Sequence, residues 1–167
     1  MLTHFESAKL ALSTSTLASR LVGHAQARPD ATAIIQGSRS LSWREVFDQV
    51  CRFSTWLRTQ PWFSPGVRII LCLPNSIEFI VAYYGVIVSG GVVTAASPKA
   101  KRGEIEYLRQ QLEPELIICL ADSASSLTGE SETPLRSLAV GGPPGGGNTW
   151  EAVMAQEPGP WPAAPDP

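Results

Sequence analysis

Apolar positions along this chain follow two rhythms in turn, one with the spacing of a helix and one of a short buried strand. Thr16 is placed to cap a helix over "LASRLVGHAQAR" that ends at Pro29. "ATAIIQG" (31–37) then reads as a strand closed by a Gly-Ser turn. In "SWRE", Ser42 and Glu45 form an S-x-x-E capping box, in which each side chain satisfies the other's backbone N–H. Val46, Phe47, Val50, Phe53 and Leu57 follow at helical spacing, which predicts an amphipathic helix of about four turns.

"VRIILCL" (67–73) is a continuous apolar run, the pattern of a strand covered on both faces. Pro74 ends it, and Asn75 or Ser76 caps a helix over 77–88 that is apolar nearly all round and is therefore expected to be buried on all sides. Gly90 and Gly91 stop that helix. "VVTAAS" is the next strand, "RGEIEYLRQQL" the next helix and "ELIICL" the strand after it. Strands alternating with helices in this way predict an α/β fold with a parallel sheet and helices on its faces.

The texture changes after Ala121. "DSASSLTGESETP" reads as a polar loop, "LRSLAV" as a further strand, and "TWEAVMAQ" as a short helix beyond the glycine-rich "GGPPGGG". The final "EPGPWPAAPDP" is proline-rich and expected to be disordered. The expected organisation is an N-terminal extension over 1–15, an α/β subdomain over 16–121, a loop-rich extension over 122–155 and a disordered tail over 156–167.

Composition narrows the function classes. The 167 residues are 44% apolar with a net charge of −2, an ordinary globular balance. Basic residues are scattered apart from "KAKR" (99–102), a solvated approach to a helix, so no nucleic-acid surface is expected. The 77–88 run falls short of the roughly 20 residues of a membrane span, and the N-terminus has no continuous apolar segment of the signal-peptide type, so no membrane association is expected. Cys51, Cys72 and Cys119 lack metal-type or CxxC spacing. They read as buried, reduced thiols of a cytoplasmic protein.

Candidate chemistry is sparse. "LAVGGPPGGGNTWEAV" has the strand–glycine turn–helix order of a phosphate loop. Its two prolines remove donors, however, and no Lys or Ser/Thr occupies the P-loop position, so a connection is the stronger reading. His4 and His24 have no partner at ligand spacing. Ser42 and Ser76 lack a G-x-S-x-G context and are accounted for as caps. Glu78 lies in the first turn of an apolar helix, where a carboxylate complements the helix dipole; a buried functional acid is the alternative. No catalytic, cofactor-binding or metal-binding residue is assigned.

Three segments carry a resemblance: "RPDATAIIQGSRSLSWREVFDQV" (28–50), "GVRIILCLPNSIEFIVAYYGVIVSGGVVTAASP" (66–98) and "EIEYLRQQLEPELIICL" (104–120). In order and spacing they resemble the start of the adenylate-forming superfamily: acyl- and aryl-CoA ligases, luciferases and peptide-synthetase adenylation domains. "VVTAASP" followed by "EIEYL" is more similar to the CoA-ligase branch. The resemblance spans 16 to about 121, with a weaker echo to 155. It implies an incomplete N-terminal subdomain of an enzyme that joins a carboxylate to ATP as acyl-adenylate and then transfers the acyl group to a thiol. Such enzymes use a Ser/Thr/Gly-rich phosphate loop ending in Pro-Lys-Gly, adenine- and ribose-binding motifs, and a lysine in a small C-terminal domain, none of which is in this sequence. ATP, Mg and CoA are thus implied for a complete member, and no cofactor for this chain alone. The resemblance implies a truncated or split ligase-like protein, inactive alone, with a second chain supplying the rest. The alternative is a non-catalytic module that complements or regulates a ligase.

Overall fold

The computed structural model describes residues 16–128, 135–142 and 149–162. The extension over 1–15, with His4, therefore lies outside the described residues. The first helix, α1 (Leu17–Ala27), begins as expected: Thr16 Oγ1 accepts from Ser19 N, and Ser19 Oγ accepts from Thr16 N.

Strand β1 (Thr32–Gln36) was expected to join the parallel sheet. It pairs instead, antiparallel, with a short strand that the sequence did not announce, β2 (Arg39–Ser42). The reason is connection length. A parallel neighbour needs a crossover of a dozen or more residues, whereas Gly37, at φ 59°, lets the chain reverse at once. Ser42 then ends β2 and caps α2 (Trp43–Arg58). Glu45 Oε2 accepts from Ser42 N at 2.7 Å, and Ser42 Oγ accepts from Glu45 N at 3.2 Å, which completes the capping box. Val46, Phe47, Val50, Phe53 and Leu57 all point into the core.

The remaining strands are β3 (Arg68–Cys72), β4 (Val92–Ala95), β5 (Leu116–Leu120) and β6 (Arg136–Val140), which form one parallel sheet in the order β4-β3-β5-β6. The chain moves from β3 to β4 through α3 (Ile77–Val88), then returns past β3 to β5 through α4 (Arg102–Leu112). Right-handed crossovers in opposite directions place those helices on opposite faces. Alternation along the strands serves both faces. Ile69, Leu71, Leu116, Ile118 and Leu138 meet α2 and α3 in one core, while Ile70, Cys72, Ile117 and Cys119 meet Ile105 of α4 in another.

The polar segment after Ala121 is a helix, α5 (Ala121–Thr128), and not the expected loop. Ala124 and Leu127, three residues apart, pack into the second core and hold it there; residues 129–134 lie outside the described residues. The short helix α6 (Trp150–Met154) forms as expected, with Thr149 as its cap. The proline-rich segment differs from expectation as far as it is described. Trp161 is 5% exposed and stacks on Phe47 at 5.0 Å and 7° between planes, and Pro162 is also buried. Aromatic burial here fixes a stretch whose composition suggested disorder.

Helix α3 corrects the largest expectation. Successive residues turn by about 100° around a helix, and the covered half holds Ile77, Glu78, Val81, Ala82, Gly85, Val86 and Val88. Phe79, Ile80, Tyr83, Tyr84 and Ile87 form the other half and are only part-buried. On the covered half, Gly85 lies beneath the Phe53 ring, and a Cβ there would collide with Phe53 Cδ1. That ring is fully buried between Trp56 and Trp150, at centroid distances of 5.6 and 5.4 Å, so it cannot swing aside.

Two glycine-to-alanine substitutions in helices should therefore have opposite signs in urea unfolding. Gly85→Ala is expected to cost about 1–3 kcal/mol by overpacking. Gly23→Ala, with nothing within 4 Å of its added Cβ, is expected to gain up to about 1 kcal/mol in helix propensity. A neutral Gly85→Ala would contradict this packing.

Candidate functional site

Open parallel sheets bind ligands beyond the C-terminal ends of their strands, where connections diverge to opposite faces. In this chain that edge comprises the turns after β3, β4, β5 and β6. After β3, Ser76 caps α3 by accepting from Phe79 N at 3.1 Å, which settles the choice between Asn75 and Ser76. The β1–β2 hairpin reaches the same helix end. Gln36 Oε1 accepts from Ile77 N at 2.8 Å, and Arg39 Nη2 pairs with Glu78 Oε1 at 2.8 Å. Glu78 is thus a latch between hairpin and helix. Burial disfavours its charge, but its own backbone N–H, Arg39 and Ser76 outweigh burial and hold the carboxyl below its usual range. A strongly ionised, paired carboxylate at a helix N-terminus is the dipole-complementing group expected from sequence. A proton-transfer acid needs the opposite shift.

After β4, Ala96, Ser97, Ala100, Gly103, Glu104, Tyr107 and Leu108 line an open cavity of about 390 Å³. Two of its lining residues, Ser97 and Glu104, are engaged within the chain. Glu104 Oε2 accepts from Lys101 N at 2.8 Å, and the Cys72 thiol donates to Ser97 O at 3.1 Å. Lys99, Lys101 and Arg102 are exposed there, as the solvated reading of "KAKR" required. Burial raises the pKa of all three thiols, to about 12 for Cys51 and about 11 for Cys119, with nearby Glu104 adding to the rise at Cys72. All three are free, buried and protonated at neutral pH, which makes them poor nucleophiles.

After β6, residues 143–148 of the glycine-rich segment lie outside the described residues. On its described flank, Gly141 N donates to Glu151 Oε1 at 2.9 Å. His24 lies against Trp43 at 4.5 Å between ring centroids, and its Nδ1 meets Arg28 Nη2 at 3.3 Å in a part-exposed surface stack. Among the described residues, no group of three or more His, Cys, Asp or Glu is placed to hold a metal, and no helix is long and apolar enough to cross a membrane. Among the described residues at these strand ends, Ser76, Gln36, Arg39 and Glu104 are engaged in caps and latches, while Lys99, Lys101 and Arg102 are exposed.

The latch has a pH signature. Because the folded-state pKa of Glu78 is depressed, its contribution is present above the unfolded value and lost as pH falls through the folded value. Arg39→Ala should cost about 0.5–1 kcal/mol at pH 7 for this part-exposed pair, with the cost shrinking in acid. Carboxyl NMR titration should show Glu78 moving upward in Arg39→Ala; an unchanged midpoint would contradict the pairing.

Residues 21–161 match the family described as AMP-binding enzyme. A long-chain-fatty-acid–CoA ligase of Bacillus subtilis is 30% identical over 112 residues, covering 67% of this chain and 20% of the ligase. The nonribosomal peptide synthetase inpA of Emericella nidulans is 28% identical over 95 residues, covering 57% of this chain and 6% of the synthetase. In fold, a benzoate CoA ligase from Burkholderia xenovorans superposes with a TM-score of 0.74 at 20% identity, covering 89% of this chain and 30% of that one. The chain thus spans less than a third of the length of these relatives. The sequence match takes in both cores, from Leu21 in α1 to Trp161 on Phe47, and with it the chain belongs to the AMP-binding enzyme family.

Proposed function

We propose that these residues form the N-terminal scaffold of an acyl-CoA-ligase-like enzyme, one that activates a carboxylic acid as acyl-adenylate with ATP and then forms a thioester. One observation carries the reading: a family match across 21–161 lies on an α/β unit in which Ser76, Gln36, Arg39 and Glu78 serve a helix cap and a hairpin latch. In this reading the residues position the enzyme's active site without lining it, and the 167 residues alone are inactive. The adenylating chemistry, with its ATP, Mg and CoA, belongs to the remainder of the domain, supplied in the same chain or by a second one. The ligase relative favours the CoA-ligase branch, and three free, buried thiols fit a reducing, cytoplasmic setting.

A chimera tests this. Residues 21–161 replace the matching part of the B. subtilis ligase, and carboxylate-dependent pyrophosphate release from ATP is measured. The chimera is expected to release pyrophosphate and the isolated 167-residue chain to release none. Turnover by the isolated chain, or a folded chimera without turnover, would contradict the proposal.

A further inference from the structure

The segment after α6 is shaped by its own sequence and docked by its side chains. In "EPGPWP" (157–162) every residue is a proline or precedes one. Proline fixes its own φ and biases the residue before it toward extended backbone, so the stretch is set extended before it touches anything. Gly159 and Trp161 turn toward α2, and Pro160 between them is exposed. Gly159 lies directly on Thr55: a Cβ there would meet Oγ1, Cγ2 and Cβ of that side chain, so rotating it would not clear the way. Two residues on, Trp161 stacks on Phe47. Among the described residues, no hydrogen bond joins 157–162 to the rest of the chain. Arg52, a neighbour of Thr55 on α2, donates from Nη1 to Met154 O at 3.2 Å, and its Nε is buried without a partner.

An aromatic anchor and a close glycine approach, without a ladder of main-chain bonds, is how proline-rich peptides dock on aromatic surfaces. Because the segment is already extended, it loses little chain freedom on docking. It can also leave without breaking a strand or a helix. An unsatisfied buried donor destabilises the closed arrangement, so the Arg52 Nε favours release or a better-placed acceptor. The same residues supplied as a free peptide would make the same contacts, and the tether adds only a high effective concentration.

We infer that the face of α2 formed by Phe47, Arg52 and Thr55 is a recognition site for an extended, proline-flanked tryptophan peptide, which the chain's own 157–162 segment occupies in cis. The site goes beyond the scaffold reading and does not depend on it, since it needs neither ATP nor a carboxylate. Its ligand carries a flat aromatic side chain over Phe47 and none two residues earlier, where Thr55 leaves no room. A peptide with a carbonyl within reach of Arg52 Nε should bind more tightly than the chain's own segment.

The test reads peptide binding and not turnover, so its failure is separate from failure of the proposed chemistry. A fluorescent peptide QEPGPWP, residues 156–162, is titrated into the 167-residue chain and into its Trp161→Ala and Gly159→Ala variants, each of which frees the site. Both variants should bind it about tenfold or more tightly than the parent chain, whose own segment competes. A peptide with alanine in place of its tryptophan, and one with alanine in place of its three prolines, should each bind about tenfold or more weakly than QEPGPWP. Saturating peptide should raise the urea midpoint of the variants and leave that of the parent unchanged. Folded variants that bind QEPGPWP no better than the parent overturn the inference. So does equal binding of either alanine peptide, because the recognised chemistry would then be wrong. If both variants unfold, recovery of the fold on adding QEPGPWP supports the site. Failure to recover makes the segment an inseparable part of the core and overturns the inference.

Discussion

Helices α2 and α3 approach closely where Gly85 admits the Phe53 ring against the backbone of its neighbour. Much else follows from that contact. The ring is fixed because Trp56 and Trp150 both pack against it, which ties α6, late in the chain, to a helix near its start. Nearer the start of α2, Phe47 receives Trp161. The first core is thus closed by aromatic residues from a segment that composition alone would leave loose. Dense packing of this kind tolerates little change in volume, so α3 has one rotation about its axis, and its Ile80–Ile87 face is directed outward as a consequence.

Polar groups divide in the same structural sense. Ser42, Glu45, Ser76, Gln36, Arg39 and Glu78 all serve helix starts or the hairpin latch. Their pKa shifts agree with that use: Glu45, accepting from the Ser42 backbone and side chain, is held below its usual value, as Glu78 is, whereas burial drives the thiols the other way. These contacts join the hairpin and the helix starts to the ends of the strands.

Much of this was legible in the sequence, for reasons that differ by element. The S-x-x-E box fixed the start of α2 because both of its hydrogen bonds are local. "VRIILCL" and "ELIICL" announced β3 and β5 because strands buried on two faces have no polar positions. What escaped was whatever depended on partners distant in sequence. β2, "RSLS", carries too little apolar alternation to declare itself and exists because the Gly37 turn folds it onto β1. α5 is Ser-rich, and Ala124 and Leu127 hold it only because the second core is there to receive them. Trp161 in a proline-rich run gave no periodic signal. For α3, an apolar surface all round predicted burial all round, and the structure buries one half fully and the other in part. The family resemblance was carried by scaffold residues, and those are the residues the fold uses.

Helix α3 packs on α2 and the sheet at the centre of the first core although one half of it is only part-buried. Native-state hydrogen exchange on the 167-residue chain tests this most directly. Amides in Val81–Val88 should exchange only through global unfolding, with the same free energy and urea dependence as those of β3 and β5. Exchange of the α3 amides through a separate, lower-energy opening, while β3 and β5 stay protected, would contradict it.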